Sequence, residues 1–536
     1  MGKKDVSNII LDQLVEYGVK RIFGFAGDAN LTFIDAINKH PQIEYIATRH
    51  EGAAAFMASA EAKLTGRVGV CTATCGPGTA NLLNGLADAY SDKAPVLAIT
   101  GQVPTKYIGT NYKQYIDEQV LMAPIAKYSS LLVSEEATID ILYKALQISI
   151  GQGSVTHLAV PKDIFTKPCS NKPKKKENIY KAQKTPQKMA LDKAINLINI
   201  AQRPMLLLGR GAKEYKKKAL KLSDNLGAAI TYSLGATGII SSENKYFVGG
   251  LGLAGTEGSS DLLHQADLVV IIGSTWWPEQ YVPENTVIIQ IDGVLENLGL
   301  SANINIGIEG CIGEILDEFI EKINVKKNEK WQEVIKETKN KWLQELEEEI
   351  NKEQNLISPL KLVAEIEKEI TSDSIISLDV GDHTLWFNKV FKKECEQVLI
   401  SGTWRSMGFG LPAGLAAKFE YPSRQVIVLA GDGGLTMSMS ELVTAAEKNI
   451  AVKIIVFNNK ALAMEKNRMI KSKLESKVTN LYNPDFSELA KACGIEGYKV
   501  KELSELNVNL KKALASNKPA LIDVDISMPM PAHTKL

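Results

Sequence analysis

The residues best suited to chemistry lie in QVIVLAGDGGLTMSMSELVTAAEKNIAVKIIVFNNKALAM, residues 425–464. A β-branched run ends in Gly431-Asp432-Gly433-Gly434, a helical pattern follows, and a second apolar run ends in Asn458-Asn459. Read as one strand–helix–strand unit, this places Asp432 and Asn459 at the C-terminal ends of parallel strands, the edge where doubly wound sheets bind ligands. Glycines there let the backbone approach an anion, and the start of the next helix favours negative charge. A carboxylate and an amide oxygen beside phosphate form a donor set for Mg²⁺, which prefers octahedral oxygen and takes several ligands from phosphate and water. A second unusual position is Glu51, in ATRHEGAAAFMASAEAKLTGRVGVCTATCGPGTANLLNGL (47–86). It stands among Gly52, Ala53, Ala54, Ala55 and Phe56, a small and apolar setting that suits a desolvated carboxyl sharing a proton.

The elements that must position these groups follow one rhythm. Strand-like apolar runs alternate with helical patterns throughout, which argues for an α/β fold with mainly parallel sheets. GVCTAT (69–74) and PVLAIT (95–100) read as buried strands of a first domain, with the helix-like NLLNGLADAYSD between them. The lysine-rich TKPCSNKPKKKENIYKAQK (166–184) reads as an exposed linker. PMLLLG (204–209), LVVIIG (268–273) and TVIIQI (286–291) define a middle domain. VKKNEKWQEVIKETKNKWLQELEEEINKEQN (325–355) carries charges at helical spacing with a thin apolar seam, and is expected to be a solvated connecting helix. SIISLDV (374–380), QVIVLA (425–430) and VKIIVF (452–457) resume the rhythm. The expected organisation is three doubly wound parallel-sheet domains at 1–166, 188–322 and 357–536, with a linker at 167–187 and a connecting helix at 323–356. No short-period repeat is visible.

The bulk properties exclude other classes. At 536 residues the chain is too long for one core. Apolar residues make up 45% and charged residues 23%, the proportions of a water-soluble globular chain. Lys+Arg and Asp+Glu balance at 62 each, so no global field draws the chain to nucleic acid or to an acidic membrane. MGKKDVSNIILDQLVEYG is an amphipathic helix pattern with acids inside it, unlike a signal peptide, and no run approaches eighteen apolar residues. The six scattered cysteines include Cys71 and Cys75, but no second Cys/His pair lies near enough to complete a metal site. A cytoplasmic protein with reduced thiols and no membrane anchor is expected.

The GDG-to-NN segment resembles the diphosphate-binding motif of thiamine diphosphate (ThDP) enzymes, and the sequence around Glu51 is similar to that of pyruvate oxidases. The resemblance implies a pyrimidine-binding first domain, a central Rossmann-like domain and a diphosphate-binding third domain. It implies that Asp432, Asn459 and the carbonyl of Ala461 ligate Mg²⁺, with Gly431, Gly433 and Gly434 on the diphosphate. The segment Asp379-Val380-Gly381-Asp382-His383 matches a family loop, so Gly381, Asp382 and His383 are expected there too. ThDP adds to a carbonyl as an ylid and then serves as an electron sink. Glu51 is expected to activate its aminopyrimidine, with Gly76-Pro77-Gly78 and Asn81 forming the turn beside that ring. In Ser406-Met407-Gly408-Phe409-Gly410, Met407 takes the family position of the wedge that bends the cofactor. Gly27 and Met464 are further expected cofactor contacts. Glu51 and Asp432 fall on different domains, which in the family meet across a subunit interface. A homodimer is therefore expected, commonly a dimer of dimers.

Finer details resemble the pyruvate oxidase and acetohydroxyacid synthase branch. Gln114 matches a substrate-side glutamine, although the aromatic that usually precedes it is Lys113 here. Asp28, in GFAGDANLTF, is similar to the acid that simple decarboxylases use for proton transfer, and quinone-linked oxidases carry one too. Acetohydroxyacid synthases usually place a Trp four residues after the match to Met464, where this chain has Arg468. GRGA (209–212), GGLGLAG (249–255), GSTWW (273–277) and QIDG (290–293) fall where the branch lines an FAD channel, but the turn Asp292-Gly293-Val294 lacks the family's proline and second acid. The leading expectation is decarboxylation of a small 2-oxo acid, pyruvate first, with oxidation of the remaining two-carbon unit through FAD. The alternatives are acetolactate synthase-like carboligation, or non-oxidative decarboxylation or acyl transfer, in which Lys113 and Arg468 would suit an anionic tail such as a sulfonate or carboxylate.

Overall fold

In the computed structural model, residues 4–176, 184–252, 255–275, 281–283, 285–325 and 328–531 are described. Three six-stranded sheets organise them, and every neighbouring pair of strands within each is parallel. The first sheet is built from β1 (Arg21–Gly24), β2 (Glu44–Ala47), β3 (Gly69–Ala73), β4 (Val96–Gln102), β5 (Tyr128–Leu131) and β6 (Val155–Pro161), in the order β2-β1-β3-β4-β6-β5. The second contains β7 (Pro204–Leu208), β8 (Ala229–Tyr232), β9 (Phe247–Gly250), β10 (Leu268–Ile272), β11 (Val287–Asp292) and β12 (Ile306–Glu309), in the order β9-β8-β7-β10-β11-β12. That is the 3-2-1-4-5-6 order of dinucleotide-binding folds. The third contains β13 (Ile375–Leu378), β14 (Gln397–Leu399), β15 (Val426–Gly431), β16 (Lys453–Asn458), β17 (Glu496–Val500) and β18 (Ala520–Asp525), in the order β14-β13-β15-β16-β18-β17. Its order is the same as that of the first sheet. The duplication is one of topology, which a search for repeated residues does not detect.

The central strands are uninterrupted apolar runs because helices cover both faces of each sheet. All five residues of β7 and all five of β10 are buried. Pro168–Cys169 pairs antiparallel with Lys4–Asp5, which ties the chain leaving the first domain back to its start.

Two helices join the first domain to the third. Helix α1 (Glu51–Thr65) starts where the His50 ring accepts the Gly52 amide at 3.0 Å, and stops at Gly66 in the left-handed conformation. Its alanine-rich surface packs against α2 (Pro77–Ser91) and against Gly410–Glu420 of the third domain, with Phe56 edge-on to Phe409 at 5.7 Å. Polar clamps close this joint. Buried Lys63 lies 2.7 Å from Asp88 and 2.6 Å from Asp92, and sits 4.7 Å from the centre of the Phe409 ring. Arg21 pairs with Glu61 at 2.9 Å and with Glu420 at 2.7 Å. Asp92 also accepts the Gly402 and Thr403 amides, each at 2.9 Å, while Arg210 of the middle domain donates to its carbonyl at 2.6 Å. All three domains therefore meet at Asp92.

The expected connecting helix is α3 (Glu329–Asn351), but it is not simply solvated. Trp331, Ile335, Trp342, Leu346 and Ile350 are buried along one face, and the Trp331 indole donates to the Pro204 carbonyl at 3.0 Å. Five large side chains at helical spacing are a sparse seam in sequence, yet two of them are tryptophans, whose area compensates for their number. The helix is part of the middle domain's covering layer.

Candidate active site

Strand order brings the expected residues to two sheet edges. In the first domain, the loops after β1, β2, β3 and β4 carry Gly27 and Asp28, Glu51, Gly76-Pro77-Gly78, and Gln114 in turn. Glu51 is the first residue of α1, only 8% exposed, and its Oε2 accepts the Asn81 side-chain amide at 3.0 Å. A β-carbon on Gly78 would lie 3.3 Å from Glu51 Oε1, so that glycine keeps the space beside the carboxylate open. Pro77 occupies the first turn of α2, and Gly76 adopts φ 64°, where any β-carbon would meet the Gln114 carbonyl at 2.5 Å. Gln114 itself is exposed, at φ 63°. Asp28 is exposed and ion-paired with Lys162 at 2.6 Å, a bond that holds its carboxyl below the usual range, with Lys113 adding to the effect. The Gly27 amide is taken by the Asn30 side chain at 2.8 Å.

In the third domain, the loops after β13, β14, β15 and β16 converge on a cleft of about 290 Å³. Gly381, Asp382, His383, Met407, Gly431, Asp432, Gly433, Gly434, Asn459, Ala461 and Met464, which were expected to hold one cofactor, all line it. Asp432 begins the short helix Asp432–Ser438 and is 2% exposed. Its Oδ1 accepts the Gly433 amide at 2.8 Å, and its Oδ2 accepts the Lys460 amide and the Asn483 side chain, each at 2.7 Å. Burial raises its carboxyl above the ordinary value against those bonds. Asn459 Oδ1 accepts the Ala461 amide at 3.1 Å. Met407 places its Cε 3.2 Å from where a β-carbon on Gly433 would stand, so a larger residue there would displace the Met407 side chain.

Among the described residues, two polar atoms at this cleft have no partner: Asp382 Oδ1 and His383 Nε2. The other Asp382 oxygen accepts the Trp386 indole at 2.6 Å, and burial pushes this carboxyl up to about 6. Burial pushes the His383 imidazole down to about 4, so the ring is neutral and can still donate one N–H. Buried polar atoms are rarely left unpaired. His383 Nε2 could donate to a diphosphate oxygen, and Asp382 Oδ1 and Asp432 could face a cation or its bound water. The donor set fits ThDP and Mg²⁺.

Comparisons with known proteins agree along the whole chain. Residues 4–122 match the thiamine pyrophosphate enzyme N-terminal TPP binding domain, 191–319 the central domain, and 379–524 the C-terminal TPP binding domain. The chain belongs to the thiamine pyrophosphate enzyme family. Its relatives include YdaP of Bacillus subtilis, named as a thiamine pyrophosphate-containing protein, 32% identical over all of this chain and 94% of that one. An acetolactate synthase large subunit of Haemophilus influenzae is 31% identical, covering 98% of this chain and 95% of its own length. The acetolactate synthase isozyme 1 large subunit of Escherichia coli is 28% identical over 97% and 93%. The protein is thus a ThDP-dependent 2-oxo acid enzyme of the pyruvate oxidase and acetolactate synthase family, with three parallel-sheet α/β domains. Among the described residues no helix is long and apolar enough to cross a membrane.

One chain keeps the two halves apart. The cleft is lined by the third domain and by Leu234 of the middle domain, and Glu51, Asn81, Asp28 and Gln114 are not among its walls. The segments expected to line a flavin channel meet at the C-terminal edge of the second sheet, except Trp276 and Trp277, which lie outside the described residues, as do residues 253 and 254. Gly209 is packed so closely that a β-carbon would fall 2.2 Å from the Gly273 carbonyl, and Asp292 caps its own turn through the Val294 amide and the Asn297 side chain. Close packing of this kind accounts for Gly209, Gly249 and Gly273, whereas a β-carbon on Gly293 would meet nothing nearer than 3.9 Å.

Sequence reasoning missed three contributors. Asn483 bridges Asp432 and Asn458, and Asn458 leans in turn on Asp523 at 2.9 Å. Asp92 fixes the loop that carries Met407. Tyr45 has a buried hydroxyl without a partner, and its phenol is raised above its ordinary value by burial first and by the Glu51 charge second. Only Asn483 had a faint signal, its place in the polar loop NLYNPDF after the second strand of the motif.

Proposed function

We propose that this enzyme uses ThDP and Mg²⁺ to decarboxylate a 2-oxo acid and join the retained acyl unit to a second carbonyl compound, in the manner of acetolactate synthases. The carrying observation is that Asp432 and Asn459 line the same cleft as Asp382 and His383, which carry the unpartnered atoms. The relatives named acetolactate synthase support ligation over oxidation. In this reading Asp432, Asn459 and the Ala461 carbonyl hold the metal. Gly381, His383, Gly431, Gly433 and Gly434 surround the diphosphate. ThDP supplies the nucleophilic carbon and the electron sink. Glu51 holds the proton on the pyrimidine nitrogen, in an orientation fixed by Asn81 and beside the Gly76-Pro77-Gly78 turn. Met407 would pack against the bound cofactor, and Asp28 and Gln114 would lie on the substrate side. Because Glu51 stands outside the cleft of its own chain, the reading takes it from a second copy, so the working unit is at least a homodimer. Exposed Val120, Met437 and Trp404 provide apolar surface for that contact.

Mass spectrometry of ligands released from the purified protein is expected to find ThDP, and pyruvate turnover to leave a product that gives acetoin on acid treatment. A yellow protein that releases FAD and reduces a dye with pyruvate, without acetoin, would move the reading to oxidation. Glu51→Gln is expected to retain ThDP while turnover falls about 10²- to 10⁴-fold, the usual worth of a positioned proton-transfer group. An unchanged rate would remove Glu51 from the mechanism.

A further inference from the structure

The cofactor cleft carries two cations that neither the metal clasp nor the activating glutamate uses, Arg405 and Arg468. Arg468 lies on the helix Ala463–Lys471, one turn after Met464, so both face the same cleft. At 1.5 Å per residue its Cα stands about 7.5 Å along the helix from Ala463, away from the metal clasp. It pairs with Glu465 at 3.0 Å. Arg405 has φ 56°, a left-handed backbone that glycine adopts freely and arginine only under strain. Its neighbours in the loop are all tied down. The Gly402 and Thr403 amides are held by Asp92, the Trp404 indole by Asn84 at 2.8 Å, the Ser406 amide by Ser401 at 2.9 Å, and the Gly408 amide by Asp379 at 3.0 Å. The loop thus delivers one long cationic side chain to the cleft from a rigid base. The Arg405 guanidinium is held below the usual arginine range, by desolvation first and then by the Arg468 charge, so the two cations share one neighbourhood.

A guanidinium on the carboxylate that leaves as CO₂ would favour the ground state over the transition state, in which that charge is departing. Two guanidiniums suit instead an anion that stays on the substrate throughout, and their planar forks match a carboxylate. We propose that Arg405 and Arg468 select a 2-oxo acid, as donor or acceptor, that bears a second carboxylate-class anion at its far end. The inference rests on the ThDP reading above.

The test is calorimetric binding of 2-oxoglutarate and of 2-oxohexanoate, whose far end carries no charge, to the ThDP- and Mg²⁺-loaded enzyme. The dicarboxylate is expected to bind at least tenfold more tightly. Arg405→Gly and Arg468→Met should each remove most of that ratio while leaving ThDP affinity within twofold. Arg405→Gly relieves the left-handed strain, so its melting temperature should be no lower than that of the unaltered enzyme, which separates lost binding from lost folding. Equal binding of the two acids, or tighter binding of 2-oxohexanoate, would overturn the proposal. So would an intact ratio with a tenfold loss of ThDP affinity in Arg405→Gly, which would assign the cations to the diphosphate. CO₂ release is followed in parallel, from each acid alone and from each with pyruvate: a tenfold ratio with no CO₂ in any of these mixtures would uphold the anion site and sink the proposed reaction.

Discussion

The Asp92 carboxylate accepts the Gly402 amide at 2.9 Å, so a residue of the first domain fixes the loop that brings Met407 to the cleft of the third. Burial alone would push this carboxyl up. The Lys63 and Arg210 charges and the Gly402 amide together bring it down to about 2. The joint between domains and the geometry of the cleft are therefore one construction.

Asp92→Asn is expected to destabilise the protein by about 3 kcal/mol, the usual loss when one partner of a buried ion pair is removed. Because the folded-state value lies below the ordinary 3.8, the Asp92 contribution is present in full above that pH and is lost as pH falls from 3.8 towards 2. Denaturant unfolding of the two proteins should show a constant gap from pH 7 to about 5, narrowing only at the acid end. A gap that closes between pH 7 and 5 would contradict this account.

Asn483→Ala is expected to weaken Mg²⁺ binding roughly 10- to 100-fold, the usual effect of removing a group that orients a metal ligand. Asn483 holds Oδ2 of Asp432, the proposed metal ligand, at 2.7 Å. Activity should return at high Mg²⁺, and the Mg²⁺ titration with ThDP in excess reads it directly. No shift in that titration would reduce the residue to packing.

His383 gives the apo protein an acid-side slope. The unfolded imidazole takes its proton near 6.5 and the folded one near 4, so the unfolded state binds more protons between these values. The His383 contribution to stability should fall by about 3 kcal/mol as pH drops through that window and be constant above it. His383→Phe should lack this part of the slope, as measured by urea unfolding at intervals from pH 7.5 to about 4.5.

Trp342→Ala in the helix Glu329–Asn351 is expected to cost about 3–5 kcal/mol, as for other buried aromatics cut to alanine. A change under about 0.5 kcal/mol, the surface norm, would restore the solvated helix expected from the sequence.

The strands were legible because buried parallel strands leave long apolar runs, as in LVVII and KIIVF, and the convergence of Asp432 and Asn459 on one cleft because they close one strand–helix–strand unit. Other parts were hidden for physical reasons. Asn483 reaches Asp432 from 51 residues away, and Asp92 reaches Gly402 from 310, separations at which sequence spacing carries no geometric information. Trp331 and Trp342 looked isolated among charges, because counting apolar positions gives a tryptophan no more weight than an alanine. The left-handed Arg405 had no local cue, since arginine is not a residue that marks such turns.

The first and third sheets share one strand order, and in both the third strand runs into a glycine turn: Gly76-Pro77-Gly78 after β3, Gly431-Asp432-Gly433-Gly434 after β15. The two groups of residues that would grip opposite ends of the cofactor are thus corresponding corners of a doubled scaffold. An ancestral half-length chain, paired with its twin, would have presented the same corner twice. The division into a proton-handling half and a metal-handling half then needs only divergence of loop residues after duplication, with the framework left alone.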